Sequence, residues 1–254
     1  MEENAENAGF IDYDDASRVT NDHGYFDVNV RLNMILGFAE DYRIIVVNAK
    51  HELILTRSRT DLNAIVNIQG LEREEFKIVI NKVEWMIPYL FVGDRQKIEL
   101  LKFTEKDSPI TMSFRSWDLH EYPMIPATQK HVWTVKTSTQ IEKPRYVIFG
   151  LQTNREENRA RYSNFFDTCN LNNVKLFLNS QYYPYAKNAF QEYAALAVID
   201  CSKQNEFLKQ ADVDVRLKFE ASDNFPDNTT AYCLIIHDRI IQYTPISSIV
   251  KNVS

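Results

Sequence analysis

Glycine is scarce in this sequence of 254 residues, which contains only six. Phosphate-binding loops and dinucleotide-binding turns need glycines at fixed spacing, and neither a Gly-x-x-x-x-Gly-Lys nor a Gly-x-Gly-x-x-Gly pattern occurs. The Gly-x-Ser-x-Gly turn that exposes a catalytic serine is missing as well. The sequence therefore lacks the common signatures of nucleotide-binding proteins and serine hydrolases.

Metal-binding patterns are also missing. The three cysteines, Cys169, Cys201 and Cys233, are far apart and form no Cys-x-x-Cys pair, so we expect buried free thiols. The five histidines have neither helical nor strand ligand spacing. We predict no metal site, no cofactor and no catalytic centre, and hence that the chain is not an enzyme.

An excess of positive charge is absent, since the net charge is −6 and the pI is about 5.5. This balance argues against nonspecific binding to nucleic acids or to a membrane surface, which needs clustered basic residues. No apolar run approaches the roughly 18 residues of a membrane-spanning helix, and the first ten residues do not resemble a signal peptide. We expect an intracellular protein, in cytoplasm or nucleus, or a component of a virion-like particle.

Short segments of alternating apolar and polar residues recur along the chain. The clearest, Asp212–Glu220, places Val213, Val215, Leu217 and Phe219 on one face. Ten or more such segments accompany one convincing helix, Asp94–Lys106, which is short and must dock on a sheet. This pattern predicts an all-β sandwich or barrel.

The stretch Gln129–Gln152 reads as a central hairpin interrupted at Glu142-Lys143-Pro144. Its first arm places His131, Trp133 and Val135 on one face. Its second arm is apolar on both faces, which predicts a strand that is covered on both sides.

The front of the chain is divided by composition. Residues 1–25 predict a mobile acidic tail. Residues 26–75 predict a strand at 25–31 running into a turn at 34–41, short strands at 43–47 and 51–57, and a boundary region from Ser58 to Glu75. From Phe76 to Leu90 we predict a long strand whose Trp85 belongs to the core.

A few polar and aromatic groups are candidates for a site. Asp118, His120 and Glu121 could be drawn as an acid-base trio, but structural or surface roles fit them better. Two aromatic groups could stack on a sugar or a base or belong to an interface, although core or interface packing is favoured for the tyrosines. They are Tyr182, Tyr183 and Tyr185, and the pair Trp117 and Tyr122.

Several segments together resemble the double jelly-roll-like proteins of insect and other invertebrate genomes, relatives of the major capsid proteins of Polinton-type (Maverick) elements and adintovirus-like viruses. The resemblance runs in order from about residue 26 to residue 248. The segments are LNMILGFAEDY, FRSWDLHEYP, HVWTVKTSTQIEKPRYVIFGLQTNR, FDTCNLNNVKLFLNSQYYPY, VIDCSKQNE and NTTAYCLIIHDRI.

The resemblance implies two jelly rolls side by side, a trimeric capsomer and a role in building a shell. It further implies that residues 26–75 hold the last strands of a truncated first jelly roll plus a linker, and that residues 76–254 form the second. Relatives have a long insert where this chain has only Ala186–Leu196, and usually a proline at the position of Arg31. A β-sandwich module that binds carbohydrate or peptide is the alternative function, and an enzyme on a β scaffold is a weaker one.

Overall fold

The structure is a computed structural model, and it describes residues 10–11, 23–64, 77–136, 144–158, 160–184, 195–202 and 213–253. Its strands and helices follow one another along the chain. They are β1 (Phe10–Ile11), β2 (Asp27–Val28), a 3-10 helix (Leu32–Met34), α1 (Gly37–Asp41), α2 (Asp94–Glu105), β3 (Ile110–Tyr122), β4 (Lys130–Lys136), β5 (Pro144–Thr153), β6 (Leu171–Leu178), β7 (Gln181–Pro184), β8 (Leu196–Asp200), β9 (Val215–Ala221), β10 (Thr229–Thr244) and β11 (Ile249–Asn252).

Eight of these strands form two facing antiparallel sheets. Sheet A has the order β3-β10-β5-β8, and β11 pairs with the far end of β10. Sheet B has the order β4-β9-β6-β7. Two four-stranded sheets in this order make a jelly roll, so the predicted all-β jelly-roll sandwich is confirmed.

The core lies between the two sheets and is made of the alternate residues that the sequence pattern identified. Phe149 of sheet A and Phe219 of sheet B are both fully buried, with ring centroids 4.8 Å apart. Burying a large apolar side chain contributes about 1.5 to 3 kcal/mol. Other buried members are Trp133, Val147, Leu151, Leu176, Leu178, Val213, Val215, Leu217 and Ile235.

The predicted central hairpin is wrong. Strand β4 pairs with β9 in sheet B, whereas β5 pairs with β10 and β8 in sheet A. The chain crosses between the sheets through residues 137–143, which lie outside the described residues. The apolar face of each of these two strands is buried against the opposite sheet, so burial does not require that β4 and β5 pair with each other. The inward positions were right, since Trp133 is buried and Val132 and Thr134 are exposed.

From the sequence pattern we also predict separate strands at 110–115 and 118–124 and a turn near His237-Asp238-Arg239, but sheet A contains neither feature. The segments 110–115 and 118–124 are one continuous strand, β3, and no turn forms at His237-Asp238-Arg239. Strand β10 continues to Thr244 because β3 pairs with it in unbroken register from Ala231 to Tyr243. The only irregularity there, at Ile236/His237, is in its pairing with β5.

The front of the chain differs most from expectation. Residues 43–58 and 77–93 contain neither helix nor strand, so the strands predicted at 43–47, 51–57 and from Phe76 to Leu90 do not form in the described residues. A strand needs a ladder partner, and the described part of the chain provides none for these segments. Trp85 is 39% exposed instead of belonging to the core. The segment 34–41 contains α1 instead of the predicted turn, and the strand predicted at 25–31 is present only as β2, Asp27–Val28.

The predicted helix is present as α2, but none of its residues is buried, so the expected docking on the sheet is wrong. The sequence also predicts Asp94 as the N-cap of this helix, but Gly93 occupies that position, without a side-chain cap. We call residues 23–64 the front segment and residues 77–105 the arm. The arm is the most exposed apolar part of the described chain.

Candidate interaction surface

The outer face of sheet A carries an apolar row that crosses all four strands. Leu119, Leu234, Ile148 and Val198 are directly paired from strand to strand, so their side chains share one line on the same face. The two end members are open to solvent, with Leu119 59% and Val198 52% exposed. Because the core occupies the other face, this row is not needed for the sandwich itself.

A second apolar row lies beside the first. It pairs Trp117 with Ile236 and Ile236 with Tyr146. On the opposite side of the first row, Phe166 covers Gly150, where a Cβ atom would lie 2.6 Å from the Phe166 ring. We call these two rows the apolar face; Asp200, which pairs with Tyr146, ends the second row at the edge strand β8.

The outer face of sheet B has a different character. Its central strands present Arg216, Lys218 and Glu220 from β9, and Lys175 from β6. The Arg216 guanidinium lies 5.3 Å from the Phe177 ring centroid. Charged side chains are typical of a sheet face that is exposed to water.

A shallow groove of about 590 Å³ lies between the front segment and sheet A. Leu119, Glu121 and Tyr232 line it from the sheet, and Arg59 lines it from the front segment. Of the charged residues that line it, Arg155 forms an ion pair with Asp167 at 2.6 Å. The groove shows where the front segment meets the outer face of sheet A.

The front segment is tied to the edge of sheet A by α1. The Arg115 backbone N–H donates to Asp41 Oδ2 at 2.8 Å, and the Arg115 Nη2 donates to Asp41 Oδ1 at 2.7 Å. The hydrogen bond from the Arg115 side chain lowers the pKa of Asp41 below its usual value. Phe38 packs edge-on against Phe114 with ring centroids 5.1 Å apart.

Three more polar contacts hold the front of the chain. The Asn48 Nδ2 donates to the Pro245 carbonyl at 2.6 Å, and the Asn63 Oδ1 accepts from the Glu157 N–H at 2.7 Å. The Asp107 Oδ1 accepts from the Ile246 N–H at 2.8 Å. No sequence signal joins partners that are 94 to 197 residues apart, so these anchors were missed.

The tyrosine candidates separate in the structure. Tyr182 is 47% exposed and lies beside Phe177, with ring centroids 5.8 Å apart. Tyr183 is buried against the core, and Tyr185 lies outside the described residues. Of the three, Tyr182 is the one that the structure places on an accessible surface.

Trp117 and Tyr122 are not brought together, because five positions along the regular strand β3 put them on opposite faces. Trp117 belongs to the apolar face. Tyr122 packs on the inner side, with its ring centroid 4.9 Å from His131 and 5.8 Å from Trp133. The trio divides in the same way, since Asp118 and His120 share the inner face and Glu121 lines the groove.

The cysteines are free thiols, as expected. Cys201 and Cys233 are buried, and burial raises the pKa of each to about 12. Cys169 is half-buried, and desolvation raises its pKa too. Thiols of this kind are poor nucleophiles near neutral pH.

Across the described ranges, no group of three or more His, Cys, Asp or Glu side chains is arranged to hold a metal ion. In the same ranges, no helix has the length and hydropathy needed to cross a membrane.

The strand order of the two sheets defines an all-β jelly-roll sandwich protein. A family model for the double jelly roll-like domain matches residues 2–189 and 186–241, which is most of the chain. The chain therefore belongs to the double jelly roll-like family. Among curated proteins, no significant match is found.

Proposed function

We propose that this protein is a structural, major-capsid-like shell protein that acts through self-association and not through catalysis. The observation that carries the proposal is a double jelly roll-like family match over a chain whose described residues form a complete eight-stranded jelly roll. Proteins of this fold class are used in viral capsids, among other roles.

From the resemblance to double jelly-roll-like proteins we further propose a relationship to the major capsid proteins of Polinton-type elements and adintovirus-like viruses. The same resemblance supports a trimeric assembly and an intracellular or particle-associated location. The contrast between the apolar face of sheet A and the charged outer face of sheet B supports self-association. Monomeric proteins rarely expose a contiguous apolar patch of this kind to water.

The arrangement of the reactive side chains supports a role without catalysis. The Asp118 and His120 side chains face the inside of the sandwich, and Glu121 is on the other side of the strand. The described thiols are buried or half-buried, with pKa values raised by desolvation. None of these groups is assembled into a nucleophile with a base.

The mass and shape of the purified protein test the proposal. Size-exclusion chromatography with light scattering, followed by negative-stain microscopy, should find trimers, higher oligomers or shell-like particles. A protein that stays monomeric at the highest soluble concentration would contradict the proposal. Binding of one ligand class on a glycan array by such a monomer would support the alternative, a carbohydrate-binding β-sandwich.

A further inference from the structure

The two outer faces of the jelly roll allow a comparison inside one molecule. Both belong to four-stranded antiparallel sheets with their inner faces in the same core. The central strands of sheet A carry only uncharged side chains on the outer face from Tyr146 to Gly150 and from Tyr232 to Ile236. The central strands of sheet B carry four charged ones there. The fold alone therefore does not account for the apolar face of sheet A.

The arm presents a second apolar surface on the same chain. Fourteen large apolar side chains between residues 77 and 105 are exposed, and Phe91 is 100% exposed. Its four aromatic rings, Trp85, Tyr89, Phe91 and Phe103, are 39, 81, 100 and 47% exposed. At about 200 Å² for each full ring, they alone present roughly 500 Å².

This area is the right size for an interface. A stable protein-protein interface buries about 800 Å² on each partner. The four rings supply more than half of that area, and ten aliphatic side chains of the arm add to it. An isolated soluble protein rarely leaves so much apolar surface open to water.

Among the described residues of a single chain, both surfaces remain exposed. Near the start of the arm, the Ile78 N–H donates to Asp61 Oδ2 at 3.0 Å and the Ile78 carbonyl accepts from Arg57. The arm ends beside Asp107, which is fixed to Ile246 just before β3 begins. Between these two anchors the arm does not cover Leu119 or Val198 of its own chain.

We propose that the apolar face of sheet A binds the arm of a second copy of this chain. The pairing is heterologous, since the arm and the face are different surfaces, so it generates a closed ring or an open chain of subunits. This inference rests on the proposed self-association, and it specifies the two surfaces through which the copies bind each other.

The chain offers a closely matched pair of variants to test this contact. Val198 and Val132 are both outward-facing valines on edge strands, 52% and 54% exposed, but Val198 lies on the apolar face and Val132 lies on sheet B. We expect Val198→Lys to weaken self-association about tenfold, because the contact would bury an unpaired ammonium. Val132→Lys should stay within a factor of two of the unmodified protein. Sedimentation gives the association constants, and circular dichroism verifies that each variant is folded.

A photocrosslinking experiment identifies the occupant directly. A benzophenone amino acid replaces Phe91, and the protein is mixed with an isotope-labelled copy before irradiation. We expect crosslinks between copies that map by mass spectrometry to β3, β5, β8 or β10. Crosslinks within one copy only, or to sheet B, would overturn the proposal.

The same variants distinguish a failure of the arm contact from a failure of the proposed function. If the protein forms oligomers but Val198→Lys and Val132→Lys behave alike, the arm contact is wrong while the shell function stands. If the unmodified protein never associates, the proposed function fails, and the light-scattering mass shows this without any variant.

Discussion

The backbone of Gly37 lies directly against the carbonyl of Arg115, so that a Cβ atom at position 37 would lie 1.9 Å from the Arg115 oxygen. The Arg115 N–H on the same edge of β3 is occupied by Asp41. Helix α1 therefore covers both the N–H and the carbonyl of Arg115, which face away from β10. An uncovered edge strand can pair with another chain, so α1 blocks the middle of a 13-residue edge.

We predict that Gly37→Ala undocks α1 from β3. The added methyl group meets backbone atoms, which cannot rotate away, so the free energy of unfolding should fall by roughly 1 to 3 kcal/mol. Limited proteolysis should then cut the front segment faster. Gly93→Ala is the matched control, because a Cβ atom there meets only the flexible Gln96 side chain. Equal protease resistance of the two variants would contradict the close contact at Gly37.

The Asp41–Arg115 pair predicts a dependence on acid pH. The hydrogen bond from Arg115 lowers the pKa of Asp41, so the unfolded chain binds more protons than the folded one near pH 3 to 4. The stabilisation is present above the ordinary carboxyl pKa of about 3.9 and is lost as the pH falls through the lower folded value. Asp41→Asn should cost about 1 kcal/mol at pH 7 and less at pH 3, measured by denaturant titration. A constant difference between the two pH values would contradict the pair.

His131 predicts a second pH effect near neutrality. Burial lowers its pKa, its Nε2 is buried without a hydrogen-bond partner among the described residues, and its ring packs against Tyr122 and Phe219. The folded state therefore resists protonation, and the stability associated with His131 should be full above pH 6.5 and fall as the pH drops towards 5. His131→Phe should reduce this loss, whereas Thr134→Val, on the exposed face of β4, should not. Thermal unfolding at pH 7.5 and 5 measures the difference.

Sequence periodicity predicted the jelly roll well wherever a strand has one buried face. Leu217 is fully buried, as its alternation with charged residues in Asp212–Glu220 indicated, and it pairs with the equally buried Leu176 of β6. The sequence pattern did not predict which strands pair. The alternation in β4 and β5 fits a hairpin and two strands in opposite sheets equally well. Pairing depends on which surfaces remain to be covered, and one segment alone does not encode this.

The front of the chain shows where periodicity fails. Residues 78–87 alternate like a strand, yet Val79, Val83 and Met86 are exposed. An alternating pattern identifies an apolar face, but a strand forms only where another strand pairs with it. The described residues of one chain provide no such strand for residues 78–87. The candidate surface was missed for a related reason. The row of Leu119, Leu234, Ile148 and Val198 comes from four strands and exists only after sheet A has formed.

The last prediction concerns the independence of the jelly roll. The sequence pattern divides the chain at residue 76, whereas the first strand of the sandwich begins at Ile110 and the core cluster extends from Ile125 to Ile235. We therefore expect a fragment starting at Lys106 to fold by itself, because it keeps every strand of both sheets and the Asp107 contact to Ile246. It should unfold cooperatively, and Phe149→Ala within it should cost about 3 to 5 kcal/mol. Circular dichroism and denaturant titration measure both. A fragment that binds a hydrophobic dye and melts without a transition would show that the front segment is an integral part of the fold.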